Sequence, residues 1–411
     1  MQNEKAKHHA QPPRQSRFCY FLARIVTGFV ARFIFKRRFI RNELRGKRGP
    51  IVVIANHQAA YDFVNLFGAT SRRMHFVISE SFYNTLPIKK FLSRLGVIAK
   101  QQFQTTIKDI HLMKSVTAAG GILVIYPAGL MCEDGLSTPI PAATYQFLQW
   151  LGVPVYMART SGTYFAMPKW ADGLRSGRTY MDIFRLFSAE ELREATLDEI
   201  KERTDAAMLF DAYREQEELL VEYKNGGNIE GLENVLYVCP HCRSEHTVRV
   251  RDGNIIYCEH CGYAEESDKY GFLHKISECG EEIRYVSDWS RMIYDMVRKE
   301  AVEGRLDELY TDAEIQMIDG RCCKFVPVGH ARVGVDREHF HIDGVLRGED
   351  FSLSVSTANF ASLPFSPGRY FEIQHGADIF RCLPTSSDTV MKLANLVKVF
   401  YELRAEAPVG E

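Results

Sequence analysis

The 411-residue chain contains no G-x-S-x-G elbow, no Walker phosphate loop and no G-x-G-x-x-G turn after a strand. These absences remove the sequence marks of serine hydrolases, P-loop NTPases and dinucleotide-binding dehydrogenases. It has no internal repeat and no low-complexity tract. Its one long apolar-rich stretch near the start, Phe18 to Phe35, is broken by Arg24 and Arg32. Such a stretch is a poor transmembrane span and a good interfacial helix. No small-residue cleavage site like that of a secretory signal accompanies it. Net charge is nearly absent too, at −1 overall.

That near-zero balance hides an asymmetry. Residues 1 to 50 hold 13 Lys and Arg against Glu4 and Glu43, a net +11, which leaves −12 for the remainder. A basic leader implies an anionic partner, nucleic acid or a lipid surface. The amphipathic stretch, with Lys36, Arg37, Arg38 and Arg41 just beyond it, favours a membrane surface with anionic lipids. The expected location is the cytoplasmic face of the cell membrane, peripheral or monotopic.

Residues 51 to 180 read as α/β. Strand-like runs lie at Ile51–Ala55, His75–Ile78, Ile122–Tyr126 and Val153–Met157, with a helical pattern at Ile107–Ala119 and a Pro- and Gly-rich loop from Pro127 to Pro141. The alternation predicts a largely parallel sheet with functional residues in the loops at strand ends. Residues 188 to 223 are dense in charge and predict one or two surface helices, opened by a capping box of Ser188 and Glu191. A helix is expected over Asp288–Lys299. The last ninety residues predict short alternating strands and a closing helix from near Ser387.

Ten cysteines would suit a secreted chain, but four stand as Cys239-Pro-His-Cys242 and Cys258-Glu-His-Cys261. Two C-x-x-C knuckles at this spacing predict a structural zinc site of four thiolates in a reducing compartment. Val248–Val250 and Ile255–Tyr257, joined through Asp252-Gly253, supply a hairpin between the knuckles. His241 and His260 then face solvent. The arginines of this segment are offset by Glu245, Asp252, Glu259, Glu265 and Glu266, so no nucleic-acid partner is expected. The ribbon reads as a fold too small for its own core, which zinc must stabilise by on the order of 10 kcal/mol.

Asn56 and His57 follow the apolar run Ile51–Ala55, and Asp62 lies five residues past the histidine. A histidine is the usual general base near neutral pH, and a carboxylate can fix its tautomer and offset its cation. The order of this motif, the strand Ile122–Tyr126 leading into Pro127-Ala128-Gly129, and the later Val153-Pro154-Val155 resembles the lysophosphatidic acid acyltransferase family of glycerolipid acyltransferases, with its N-H-x-x-x-x-D motif. The resemblance covers roughly residues 20 to 185. Gly96-Val97-Ile98 with Lys100 is similar to the family's second block. The third block departs: Ala128 and Met131 stand where the family has Glu and Arg.

The resemblance implies acyl transfer from acyl-CoA or acyl carrier protein to a lysophospholipid such as 1-acyl-glycerol-3-phosphate. His57 and Asp62 would be catalytic, with Asn56, Lys100, Gly129 and Arg159 around the substrate. Lys169 and Arg175 are further candidate cations for the acceptor's phosphate. A catalytically decayed, membrane-associated lipid-binding or scaffold protein is the alternative. The whole arrangement also resembles a bacterial subgroup with a zinc ribbon and a β-rich tail. It predicts a basic amphipathic leader (1–48), an α/β acyltransferase domain (49–185), a charged helical segment (186–228), a zinc ribbon (229–275) and a helical linker (276–318). A pleckstrin-homology-like β-rich domain closed by a helix (319–405) would complete it.

Overall fold

A computed structural model describes residues 10–102, 105–320, 322–358 and 360–406, so the first nine residues of the expected leader lie outside it. Seven strands form the first sheet: β1 (Arg38–Asn42), β2 (Ile51–Ala55), β3 (Met74–Ser79), β4 (Ile98–Lys100), β5 (Ile122–Ile125), β6 (Val155–Ser161) and β7 (Tyr180–Phe187). Their order is β1-β7-β6-β2-β5-β3-β4. Strands β6, β2, β5, β3 and β4 run parallel. β7 runs antiparallel to β6 and carries β1 parallel beside it, so the sheet is largely parallel, as expected, with one antiparallel pairing.

Both faces of the sheet are covered, which explains the continuous apolar runs. Ile51, Val53, Ala55, Ile122 and Val124 enter one core, while Val52, Ile54, Leu123 and Ile125 enter the other. The two-residue alternation of a strand thus feeds two layers from one segment.

The first core is closed by the Arg17–Phe29 helix, which continues as a π turn over Val30–Ile34. Its inner face buries Cys19, Tyr20, Ala23 and Thr27, and the Tyr20 hydroxyl accepts from Met74 N–H at 2.9 Å. Phe18, Phe21, Ile25, Phe29 and Phe33 face outward, each more than half exposed. The Arg24 guanidinium turns inward and donates to the carbonyls of Thr70, Ser71 and Arg72. No described helix is long and apolar enough to cross a membrane.

The charged segment forms three helices, not one or two: Ala189–Glu194, Leu197–Met208 and Ala212–Leu219. The capping box holds, with Ser188 Oγ accepting from Glu191 N–H and the Glu191 carboxylate accepting from Ser188 N–H. A small sheet follows, of β8 (Val248–Arg251), β9 (Ile255–Cys258), β10 (Ala264–Ser267) and β11 (Leu273–Lys275). Positive φ at Asp252 and Gly253 turns its first hairpin.

The Val286–Val302 helix leads to a second seven-stranded sheet, antiparallel throughout. Its strands are β12 (Glu308–Asp319), β13 (Lys324–Asp336), β14 (His339–Leu346), β15 (Glu349–Ser356), β16 (Phe365–Ser366), β17 (Tyr370–His375) and β18 (Asp378–Pro384). The order is β15-β14-β13-β12-β18-β17-β16, and the Thr389–Glu406 helix closes it. The cysteine-bearing segment is not a separate lobe without a core. Val238, Val248, Ile256, Phe272 and Leu273 share one apolar cluster with Trp289 and the second sheet. Apolar burial therefore holds this segment as well as any metal does.

Candidate active site

β2 ends at Ala55, and the chain turns so that His57 stands at the carboxyl edge of the parallel strands. Asn56 makes the turn: its amide donates to Thr160 O and its carbonyl accepts from Thr160 N–H, both at 2.8 Å. This pair ties β2 to β6, so the Asn56 side chain is occupied within the protein. Gln58 is buried, and its carbonyl accepts from Thr163 Oγ1 and Tyr164 N–H at 3.2 and 3.3 Å. The residues on both sides of His57 are therefore locked.

Asp62 opens the Asp62–Leu66 helix and is 1 % exposed. Its Oδ2 accepts from Gln58 N–H at 2.8 Å and Ala59 N–H at 3.0 Å, and lies 3.0 Å from His57 Nδ1. Both backbone donors fix this oxygen against the ring. With Nδ1–H donating to it, Nε2 is the ring nitrogen whose lone pair can act as a base. The Tyr126 ring lies 4.6 Å from the imidazole, centroid to centroid, and backs it. Burial pushes the Tyr126 phenol well above its ordinary value, and the Asp62 charge adds to this. Sequence reasoning took Tyr126 only as the end of a strand.

The third-block loop leaves β5 beside this pair. Cys132 N–H donates to His57 O at 3.2 Å, and Gly129 N–H closes a turn onto Tyr126 O at 3.0 Å. Gly129 has φ of +71°, a conformation that favours glycine. Its carbonyl accepts from the Gln102 amide at 2.7 Å. Ala128 is buried at 3 % exposure, so no larger side chain enters there without displacement.

The cations divide sharply. Arg159 is paired with Glu215 at 2.7 Å. Arg175 is buried and donates to the carbonyls of Gly226 and Asn228. Lys169 turns to Glu133 at 3.6 Å and to Met131 O at 3.4 Å. Lys100 ends β4 at the carboxyl edge and donates to the neighbouring Gln101 carbonyl; burial lowers its pKa, against the opposing pull of the Asp109 charge. Among the described residues, Lys100 is the one of the four with neither an ion pair nor two carbonyl acceptors.

Residues 36–165 match the acyltransferase family model. These residues form an acyltransferase domain. The family model and the motif-based resemblance fall on the same part of the chain. The structure of the 1-acyl-sn-glycerophosphate (LPA) acyltransferase PlsC from Thermotoga maritima aligns at 16 % identity over 50 % of this chain and 79 % of that one, with a TM-score of 0.40. The Ran-binding domain of Nup2 from Ashbya gossypii aligns at 12 % identity over 23 % of this chain and 98 % of that one, with a TM-score of 0.19. No curated protein matches the chain.

Outside the matched region the chain carries a second chemical cluster. The sulfurs of Cys239, Cys242, Cys258 and Cys261 lie within 4.8 Å of one another, with Cys239–Cys261 at 3.6 Å and Cys242–Cys258 at 3.8 Å. A tetrahedral ion with metal–sulfur bonds of about 2.3 Å sets its sulfurs about 3.8 Å apart, so the residues fit a metal ion. His241 and His260 are exposed and outside the cluster. Four protein sulfurs close the shell, which leaves no position for a substrate.

Proposed function

We propose that the enzyme transfers a fatty acyl group from acyl-CoA or acyl carrier protein to the hydroxyl of a lysophospholipid such as 1-acyl-glycerol-3-phosphate, in phospholipid synthesis. The observation that carries this is the His57–Asp62 pair, with Nδ1 held at 3.0 Å and Nε2 without a hydrogen-bond partner among the described residues. The acceptor oxygen attacks the thioester carbonyl as His57 Nε2 takes its proton. Asp62 orients the ring and offsets the imidazolium. The tetrahedral intermediate collapses, the C–S bond breaks, and the thiolate leaves with the proton from His57. Ester and thiol are the products, and no covalent acyl-enzyme is required.

The outward face of the Arg17–Phe29 helix supports a position on anionic membrane, because it presents aromatic and aliphatic side chains beside a basic segment. That helix packs on the Asp62–Leu66 helix, so a site seated there meets acceptor and product where both reside. Lys100 and Gly129 border the acceptor side, whereas Asn56 and Arg159 support the scaffold. Zinc fits the four-cysteine cluster and would act there as a structural ion. The antiparallel sheet with its closing helix is read as pleckstrin-homology-like.

The reading is tested with purified protein, radiolabelled acyl-CoA and lysophosphatidic acid in mixed vesicles. His57→Ala is expected to abolish transfer while the thermal transition is kept. Unchanged turnover would sink the assignment of the base. A second reading, a decayed lipid-binding scaffold, is favoured by Ala128 and Met131, and predicts no product from any pairing of donor and lyso-lipid.

A further inference from the structure

The third-block loop lacks the charged pair of its family, yet it is tightly held. Several of the groups that hold it, Lys169, Trp170, Ser290 and Phe365, come from beyond the matched residues 36–165. Lys169 Nζ lies 3.4 Å from Met131 O and 3.6 Å from Glu133, with its side chain 5 % exposed. Phe365 of β16 roofs that ammonium, whose nitrogen stands 3.5 Å from the ring centroid. Ser290, buried on the Val286–Val302 helix, donates to Asp134 Oδ2 at 2.6 Å. Asp134 Oδ1 accepts from Leu136 N–H at 2.9 Å. Trp170 Nε1–H donates to the Tyr164 hydroxyl at 3.0 Å, and that hydroxyl donates to Glu133 O at 3.4 Å. Every residue from Met131 to Asp134 is thus fastened, and Cys132 joins the same stretch to His57.

The second sheet meets the acyltransferase domain along the edge that carries His57. Glu372 accepts from Ser81 Oγ at 2.8 Å just past β3, the Gly376 carbonyl accepts from Gln101 just past β4, and Arg369 pairs with Asp172 at 2.6 Å beyond β6. A buried ammonium needs a partner for each of its faces, because leaving one bare costs several kcal/mol. Glu133, the Met131 carbonyl and the Phe365 ring supply those partners.

We propose that Lys169, clamped by Glu133 and roofed by Phe365, is a positioning residue that holds the third-block loop beside His57, and that the C-terminal sheet is thereby a working part of the acyltransferase site. Lys169 takes over the loop-fastening task that no side chain at 128 or 131 performs. It touches no substrate, and it acts through the Met131 carbonyl and Glu133. Loss of the clamp frees the loop and loosens acceptor placement, while the His57–Asp62 pair and the donor are untouched.

This inference rests on the acyl-transfer reading above, and its test separates the two. Hydrogen exchange of the full-length protein, read by mass spectrometry, reports the loop without any activity. In Lys169→Met and Phe365→Leu, amides of residues 129–136 are expected to exchange about tenfold faster, the loss of one charge-assisted contact, with β2 amides unchanged. Phe365→Tyr restores the ring and the slow exchange. In transfer assays the first two variants raise the acceptor KM about tenfold and leave the KM for acyl-CoA within twofold, as expected for a lost placement of one substrate. Unchanged loop exchange in both variants overturns the proposal, whatever the wild type catalyses. Equal rises in both KM values also overturn it, because a general loss of fold does that. An inactive wild type with the exchange pattern above upholds the clamp and refutes only the acyl-transfer reading.

Discussion

Asp62→Asn isolates charge from shape at the His57–Asp62 pair. The carboxylate is 1 % exposed, and its Oδ2 takes donors at 2.8, 3.0 and 3.0 Å from Gln58, Ala59 and His57. When Nε2 takes the acceptor's proton, a cation forms next to this anion. At an effective dielectric of about 20 and a charge separation of about 4 Å, their attraction is about 4 kcal/mol. An asparagine keeps the carbonyl for the backbone donors but offers the ring only a neutral hydrogen bond, worth about 1 kcal/mol. The remaining loss of about 3 kcal/mol falls on the transition state and lowers kcat about 150-fold. The acceptor KM stays within about threefold, because the neutral ground-state imidazole loses little. Initial rates of labelled acyl transfer at fixed pH measure both constants, and a thermal melt checks the fold. A folded Asp62→Asn enzyme within fivefold of the wild-type kcat would refute the role of the carboxylate.

Cys258→Ser is expected to lower bound zinc from about one ion per chain to near none by metal analysis. Retained zinc would remove the four-thiolate reading. Phe21→Glu with Ile25→Glu places two charges on the outward face of the first helix, at positions 63 % and 53 % exposed. Vesicle flotation with anionic lipid should fall at least about tenfold, with the fold intact, because each lost apolar insertion is worth about 1.5 kcal/mol or more. Unchanged flotation would place the membrane contact elsewhere. Glu265 is buried, accepts from the Tyr263 hydroxyl and from Ile283 N–H at 2.7 Å, and burial pushes its pKa up to about 7. A raised acid adds stability that is full below its ordinary value of 4.5 and is lost as pH rises through about 7. The wild-type Tm should therefore fall between about pH 4.5 and about pH 7 and level off above that, and Glu265→Gln should flatten that slope. Parallel slopes would contradict the burial of a protonated carboxyl.

Much of the site was legible because its chemistry is local. His57, Asp62 and the two backbone donors lie within six residues, so a strand exit and one helix start suffice to assemble them. The cysteine knuckles are local in the same sense, as is the Ser188–Glu191 box. The cations were not legible. A lysine or arginine in sequence carries no mark of its partner, and Glu215, Glu133 and the Gly226 carbonyl lie 36 to 56 positions from the side chains they hold. Arg24 is of the same kind, since its acceptors are main-chain carbonyls 46 to 48 residues on.

β2 and β5 declared themselves by uninterrupted apolar runs, since a strand covered on both faces has no polar side to show. β1, with Arg38 and Arg41, is an exposed edge with no such pattern, and β4 is three residues long. Their pairing comes from neighbours already in place. The local sequence alone determined the His57–Asp62 pair, the four-cysteine knuckles and the amphipathic first helix, because each depends on spacing within a turn or two. Only the tertiary structure decided which cations are spent and how the third-block loop is held. Those contacts join residues up to 234 positions apart, Met131 to Phe365 through Lys169, and no short-range pattern encodes a contact of that span.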